Sequence, residues 1–159
     1  MKEPHQSFFQ KKVADYMNRD IVSVGPETSL RDVSKLFEKY DFNTFPVIEG
    51  EKLVGVFSKF DFMRAFAFTD QHPLPDYHAL MATPVRDMMS EELNTVRPDM
   101  PLTRVLQAMV EKRTRSLPVL DQGKIVGVIS REDIMRALAE STATFSEFSS
   151  PGAQSRILE

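Results

Sequence analysis

Apolar and polar positions follow one arrangement along this chain, and it occurs twice. Leu30, Val33, Phe37 and Tyr40 recur at the three-to-four spacing of a helix with one buried face, and Leu102, Val105 and Met109 do the same. Thr28 or Ser29 suits the N-cap of the first helix, and Asp99 with Pro101 suits the start of the second. Ahead of each lies a short extended stretch, IVSVGP or LNTVRP, ending in a proline that disfavours helix at the residue before it. After each come two short apolar runs, FPVIE with KLVGVF and LPVLD with KIVGVI. Glycine-containing turns, EGE and DQG, join them as β-hairpins. A second helix then begins at Ser58 or Ser130. Each half predicts β-α-β-β-α, an α+β unit.

The two halves align without a gap at a shift of 72 residues. Identical pairs run from Val13/Val85, Asp15/Asp87 and Met17/Met89 through Pro46/Pro118 and Gly55/Gly127. They end with Ser58/Ser130, Asp61/Asp133 and Met63-Arg64-Ala65/Met135-Arg136-Ala137. Two copies are too few for a solenoid; two units packed about a pseudo-twofold axis are expected instead. The pattern divides the chain into a leader (1–12), a first unit (13–66), a linker (67–83), a second unit (84–138) and a Ser-rich tail (139–159), mobile at its end.

Composition narrows the function. The chain has 159 residues, 42% hydrophobic and 27% charged, with a formal charge of −3. That balance gives no global reason to expect nucleic acid or an anionic membrane as partner. There is no cysteine, so disulfides and thiolate metal sites are excluded. No apolar run approaches the roughly 20 residues that span a bilayer, and the first residues lack the apolar core of a signal peptide; a cytoplasmic location is expected. The three histidines, at 5, 72 and 78, lie outside the repeats and form no metal-ligand spacing. No nucleophile or phosphate-loop motif is present, so no catalytic residue is named and no enzyme is expected.

Charge separates the copies. Residues 13–66 hold seven Lys/Arg against nine Asp/Glu, whereas 85–138 hold nine against eight. The difference is concentrated before the hairpins, Lys39-Tyr40-Asp41-Phe42-Asn43 in one and Glu111-Lys112-Arg113-Thr114-Arg115 in the other. A basic run of this kind also suits a solvated helix C-terminus.

The repeated Ser-x-x-Asp supports two readings. Ser at the N-cap with an acid at N3 is a capping box. The same helix start presents unpaired N–H groups and a positive dipole end, which suit a phosphate. A Ser hydroxyl there can bond a phosphate oxygen, and an Asp carboxylate one turn on can accept both hydroxyls of a ribose. The two readings are compatible.

The order of elements, the apolar-Pro-Val before each hairpin and the Gly-x-x-Ser-x-x-Asp closing it resemble the CBS domain, over roughly residues 13–138. The tandem resembles a CBS pair, or Bateman module. The resemblance implies an adenosine nucleotide (AMP, ADP or ATP) as regulatory ligand in a cleft between the units, with no cofactor required. Asp61 and Asp133 become ribose candidates, and Ser58 and Ser130 phosphate-side candidates. It also implies an adenine slot from Val22, Val24, Phe45 and Val47 in one copy and Asn94, Val96, Leu117 and Val119 in the other. For the apolar members, core packing is the alternative. Arg115 takes a position where family members carry a phosphate-holding base, with Asn43 its neutral counterpart; Lys59 and Arg131 follow the serines. The second copy, with Arg115, Ser130, Arg131 and Asp133, is expected to hold phosphate more strongly. The resemblance further suggests a homodimer with Phe62, Phe66 or Phe68 near its seam, and an unidentified regulated partner protein. The rival from another class is a ligand-free interaction or dimerisation module whose Ser-x-x-Asp only caps helices.

Overall fold

Each half folds as its pattern predicts. The computed structural model describes residues 7–67 and 76–146, with side chains through 141. The first half runs α1 (Val13–Tyr16), α2 (Leu30–Lys39), β1 (Thr44–Glu49), β2 (Lys52–Ser58) and α3 (Lys59–Ala65). A short helix, α4 (Tyr77–Ala82), precedes a 3-10 turn at Val85–Asp87. The second half continues with α5 (Leu102–Lys112), β3 (Ser116–Asp121), β4 (Lys124–Ser130) and α6 (Arg131–Ser146). Asp76 caps α4, with the Ala79 N–H donating to Asp76 Oδ1 at 3.1 Å. No helix of the described residues is long and apolar enough to cross a membrane.

One antiparallel hairpin forms the centre of each half, β1–β2 in the first and β3–β4 in the second. Both close through two-residue loops, between Glu49 and Lys52 and between Asp121 and Lys124. Gly50 has φ of 62°, whereas Gln122 and Gly123 both have positive φ, 51° and 79°. A positive φ at both loop positions fits a type I′ turn, whose twist matches the strands. The extended stretch ahead of each first helix contracts to one parallel bridge, Val24 to Val47 and Val96 to Val119. Each is held from both sides: Val24 N–H donates to Pro46 O at 3.0 Å, and Val24 O accepts from Ile48 N–H at 2.8 Å.

Helix α2 buries Leu30 and Val33, and α5 buries Leu102, Val105 and Met109, the stripes expected from their spacing. Ser29 caps α2, its Oγ accepting from the Asp32 N–H at 3.1 Å. Beyond α2 the chain leaves in extended conformation at Tyr40, whereas Arg113 ends α5 in the left-handed region at φ 53°. The loops thus diverge in shape where they diverge in charge.

The segment that opens each repeat packs on the other repeat. Val13 and Met17 lie in one core cluster with Val96, Leu102, Val105, Leu117, Val119 and Ile129. Val85 lies with Val24, Leu30, Val33, Phe45, Val47 and Phe57. Reciprocal backbone bridges tie these crossings: Asn18 to Val128 and Ser90 to Val56, Lys12 to Pro101 and Pro84 to Ser29. Each partner in one pair is its counterpart in the other shifted by 72, which is the pseudo-twofold in hydrogen-bond form. Gly55 and Gly127 permit the approach. A Cβ on Gly127 would stand 2.9 Å from Asn18 O and Met17 Sδ, and one on Gly55 would meet Met89 Sδ at 2.8 Å and Ser90 O at 2.9 Å.

Phe62 of α3 and Phe66 at its C-cap turn toward the core, whereas Phe60 faces out. The Phe62 ring lies edge-on to Phe37 at 6.4 Å and tilted to Phe66 at 5.2 Å, and Phe66 lies 5.6 Å from Tyr77. Phe62 and Phe66 are both half-buried and pack against the first core cluster; Phe68 lies outside the described residues, as do His5 and His72. The exposed apolar residues nearby are Phe60, Met63 and Met135.

Candidate functional site

Both readings of Ser-x-x-Asp are visible in the same atoms. In the first copy, Ser58 N–H donates to Asp61 Oδ2 at 2.9 Å, and Asp61 N–H donates back to Ser58 Oγ at 3.1 Å. In the second, the corresponding bonds are 2.8 and 3.3 Å, and Ser130 Oγ also donates to Asp133 Oδ2 at 2.9 Å. These are reciprocal capping boxes, which satisfy N–H groups at each helix start. The carboxylates of Asp61 and Asp133 are buried.

Each carboxylate's other oxygen holds an arginine one turn along. Arg64 reaches Asp61 Oδ1 at 3.4 Å and donates to Met88 O at 3.2 Å. Arg136 reaches Asp133 Oδ1 at 3.3 Å and donates to Tyr16 O at 3.1 Å. Tyr16 and Met88 are equivalent positions on the exchanged segments. The Met-Arg-Ala of the repeat therefore fastens the crossing turn to the helix whose N-terminus carries the Asp.

A cleft of about 280 Å³ opens between the two halves beside Ser130 and Asp133, near the lower end of ordinary ligand pockets. Asn18 and Val22 come from the first crossing segment, Thr44 and Pro46 from β1, and Arg115 and Ser116 from the entry to β3. Arg115 donates to Asn43 Oδ1 at 3.2 Å. These two residues are equivalent by the 72-residue shift, so the bond crosses the pseudo-twofold axis at the cleft.

Of the residues expected from sequence, Val22, Arg115, Ser130 and Asp133 line this cleft together. Val24, Phe45 and Val47 do not: all are buried in the first core cluster. Val96, Leu117 and Val119 are likewise core residues of the second. Strand pleating explains the displacement, since successive side chains face opposite sides; with Phe45 inward, its neighbour Thr44 lines the opening. Asn94 is half-buried, Arg131 is exposed and Lys59 is half-buried, and none of them lines this cleft. Ser58 and Asp61 occupy the equivalent place on the other side of the axis.

A second hollow, also about 280 Å³, is lined by Lys11, Asp15, Tyr16, Arg136 and Glu140. Buried Lys11 donates from Nζ to Ala137 O at 3.3 Å and to Glu140 Oε2 at 3.4 Å, and the Tyr16 hydroxyl donates to Glu140. Lys11 Nζ lies 5.1 Å from the Tyr16 ring centre, and Arg136 stands 5.5 Å from it. Burial pushes the Tyr16 pKa up, and its bond to Glu140 adds to the rise. Burial works against the charge of Lys11, but its bonds to Tyr16 and Glu140 prevail and raise its pKa. The Tyr16 hydroxyl, with Lys11, holds the Glu140 carboxyl below the usual carboxylate range. Sequence reasoning missed this cluster because Lys11 falls in the leader, Glu140 in the tail, and Tyr16 faces Met88 in the repeat alignment. The only sequence signal was that mismatch.

The CBS domain profile matches residues 13–68 and 85–140. The A-adding tRNA nucleotidyltransferase of Geobacter sulfurreducens is 26% identical over 132 residues, 83% of this chain but only 14% of that protein. An uncharacterized conserved protein from Pyrococcus horikoshii superposes with a TM-score of 0.67 at 29% identity, over 81% of this chain and 92% of its own. CBSX2, solved in complex with AMP, gives 0.68 at 27% identity, over 81% and 96%.

Proposed function

Since the chain belongs to the CBS domain family, with two copies in tandem, we propose that it is a non-catalytic regulatory module that senses an adenosine-containing ligand in the cleft between its halves. The observation that carries this reading is the convergence of Val22, Arg115, Ser130 and Asp133 on one opening, beside a helix start whose Ser and Asp can meet phosphate and ribose. The AMP complex of CBSX2 supports the ligand class.

The same geometry supplies a route for the signal. A ribose that engages Asp133 competes for the carboxylate that also holds Arg136, and Arg136 fastens Tyr16 O. Asn18, two residues beyond Tyr16, itself lines the cleft. The ligand therefore bears on the crossing segment through Asp133 and directly, and biases the arrangement of the halves as far as it binds one arrangement better. A regulated protein reads that change.

Thermal unfolding against a panel of adenosine compounds tests this. A ligand at 100 times its Kd adds about 2.7 kcal/mol, and each kcal/mol moves the midpoint by about 2–4 °C at this size. The expected result is a clear upward shift in the wild type that Asp133→Ala abolishes. No shift with any compound would leave Ser-x-x-Asp as a helix cap only, and the module as a protein-interaction unit.

A further inference from the structure

The charge around the Asp133 cleft is lopsided. Asp20, Asp41, Glu132 and Asp133 line it, against one cation, Arg115. Asp133 is answered by Arg136 at 3.3 Å, and the Arg115 guanidinium already donates to Asn43. Asp20, Asp41 and Glu132 are exposed, and none of the ion pairs found among the described residues involves them. Their opposite numbers across the pseudo-twofold are Glu92, Arg113 and Phe60. One acid is kept, one becomes a cation and one becomes neutral, so the excess of negative charge belongs to one cleft.

We infer that Asp20, Asp41 and Glu132 are specificity residues that make the Asp133 cleft exclude adenosine polyphosphates and favour adenosine compounds whose 5′ substituent is uncharged or cationic. This rests on the nucleotide-sensing reading above and narrows it. It also reverses the expectation that the second copy, through Arg115, holds phosphate more strongly. Each added phosphate brings more negative charge toward three carboxylates that have no cation of their own, and like charges facing one another across a partly enclosed cleft repel. A thioether places no charge there, and a sulfonium places an attractive one. Ser130 and Asp133 still serve ribose and the first ester position, so the discrimination acts on what lies beyond the sugar.

The test is isothermal titration without divalent cations, on the 159-residue chain carrying Asp61→Asn to remove the ribose acceptor of the other cleft. The probes are 5′-methylthioadenosine, AMP, ADP, ATP, S-adenosylmethionine and S-adenosylhomocysteine. Affinity is expected to fall at least tenfold from AMP to ATP, and S-adenosylmethionine is expected to exceed S-adenosylhomocysteine, which lacks only the charge on sulfur, several-fold. Combining Asp20→Asn, Asp41→Asn and Glu132→Gln, all at exposed positions that leave the core intact, should flatten both ratios. If ATP binds as tightly as AMP, or if the triple variant keeps the original ratios, the charge selection is overturned while the nucleotide reading stands. If none of the six compounds binds either this protein or the wild type, both fall together.

Discussion

Gly127 shows how a missing side chain can be the reason for a contact. Its hydrogen stands where any Cβ would lie 2.9 Å from Asn18 O and Met17 Sδ, and backbone cannot retreat as a side chain can. Gly127→Ala should therefore lower stability by about 1–3 kcal/mol, the range for overpacking a filled site, measurable by urea unfolding. A Cβ at Gly123, by contrast, would meet nothing within 4 Å. The repeat made Gly127 and Gly55 visible, because each sits in a Val-Gly-Val that occurs twice, but nothing local says what approaches them. Phe45 and Val47 illustrate a different limit. Their apolar character marked them equally for a ligand slot and for the core, and strand parity, which gave the cleft to Thr44, is set by long-range packing. Ser130 and Asp133 were legible in both roles because capping and ligand binding draw on the same unpaired N–H groups.

Among the elements, the order β-α-β-β-α was readable from periodicity and turn residues, while the crossing of 13–18 and 85–90 was not. Val13 and Val85 hold the same place in the pattern, and which core receives them depends on residues such as Leu102 and Ile129, roughly a hundred positions away. The crossing turn of the first repeat is anchored further by Lys11, Tyr16 and Glu140, with no counterpart on the other side: the shift of 72 carries Lys11 to Thr83 and Tyr16 to Met88. That asymmetry gives the fold a pH signature. Glu140 has a lowered folded pKa, so its contribution is present above the ordinary carboxylate range and is lost as pH falls through the folded value. Tyr16 and Lys11 have raised values, so theirs is present below about 10 and lost on further alkalinisation. Denaturation midpoints followed from pH 3 to 11 should show both slopes, and Glu140→Gln should remove the acid one and weaken the alkaline one. Unchanged slopes would mean that the cluster contributes nothing to folding.

At the scale of the whole molecule, three of the exposed apolar residues among those described lie on α3 and α6. Phe60 is 66% exposed, Met63 63% and Met135 59%, and Met63 and Met135 are equivalent across the pseudo-twofold. Isolated apolar side chains are ordinary on a surface, but here three fall on the two helices that carry Asp61 and Asp133. The homodimer we propose would cover them together with the half-buried Phe62 and Phe66. Light scattering should give twice the chain mass, and Met63→Glu with Met135→Glu should return it to a single chain; a wild type that is monomeric at all concentrations would end this assignment. Such a seam would lie next to the helix starts that face the clefts, so ligand and assembly state would be linked, each strengthening or weakening the other to the same degree.

The crossing of the opening segments has a further consequence, for how such a chain can change over time. A module whose halves each kept their own core could lose one copy, trade it for a relative's, or let one drift freely while the other carried the function. Here Val13 and Met17 complete the core that Ile129 belongs to, and Val85 completes the one around Phe57. Deleting either copy removes a piece of the survivor. The duplication is interlocked: its copies are free to diverge at the rim, as Asp41 and Arg113 have done, but they must be inherited together.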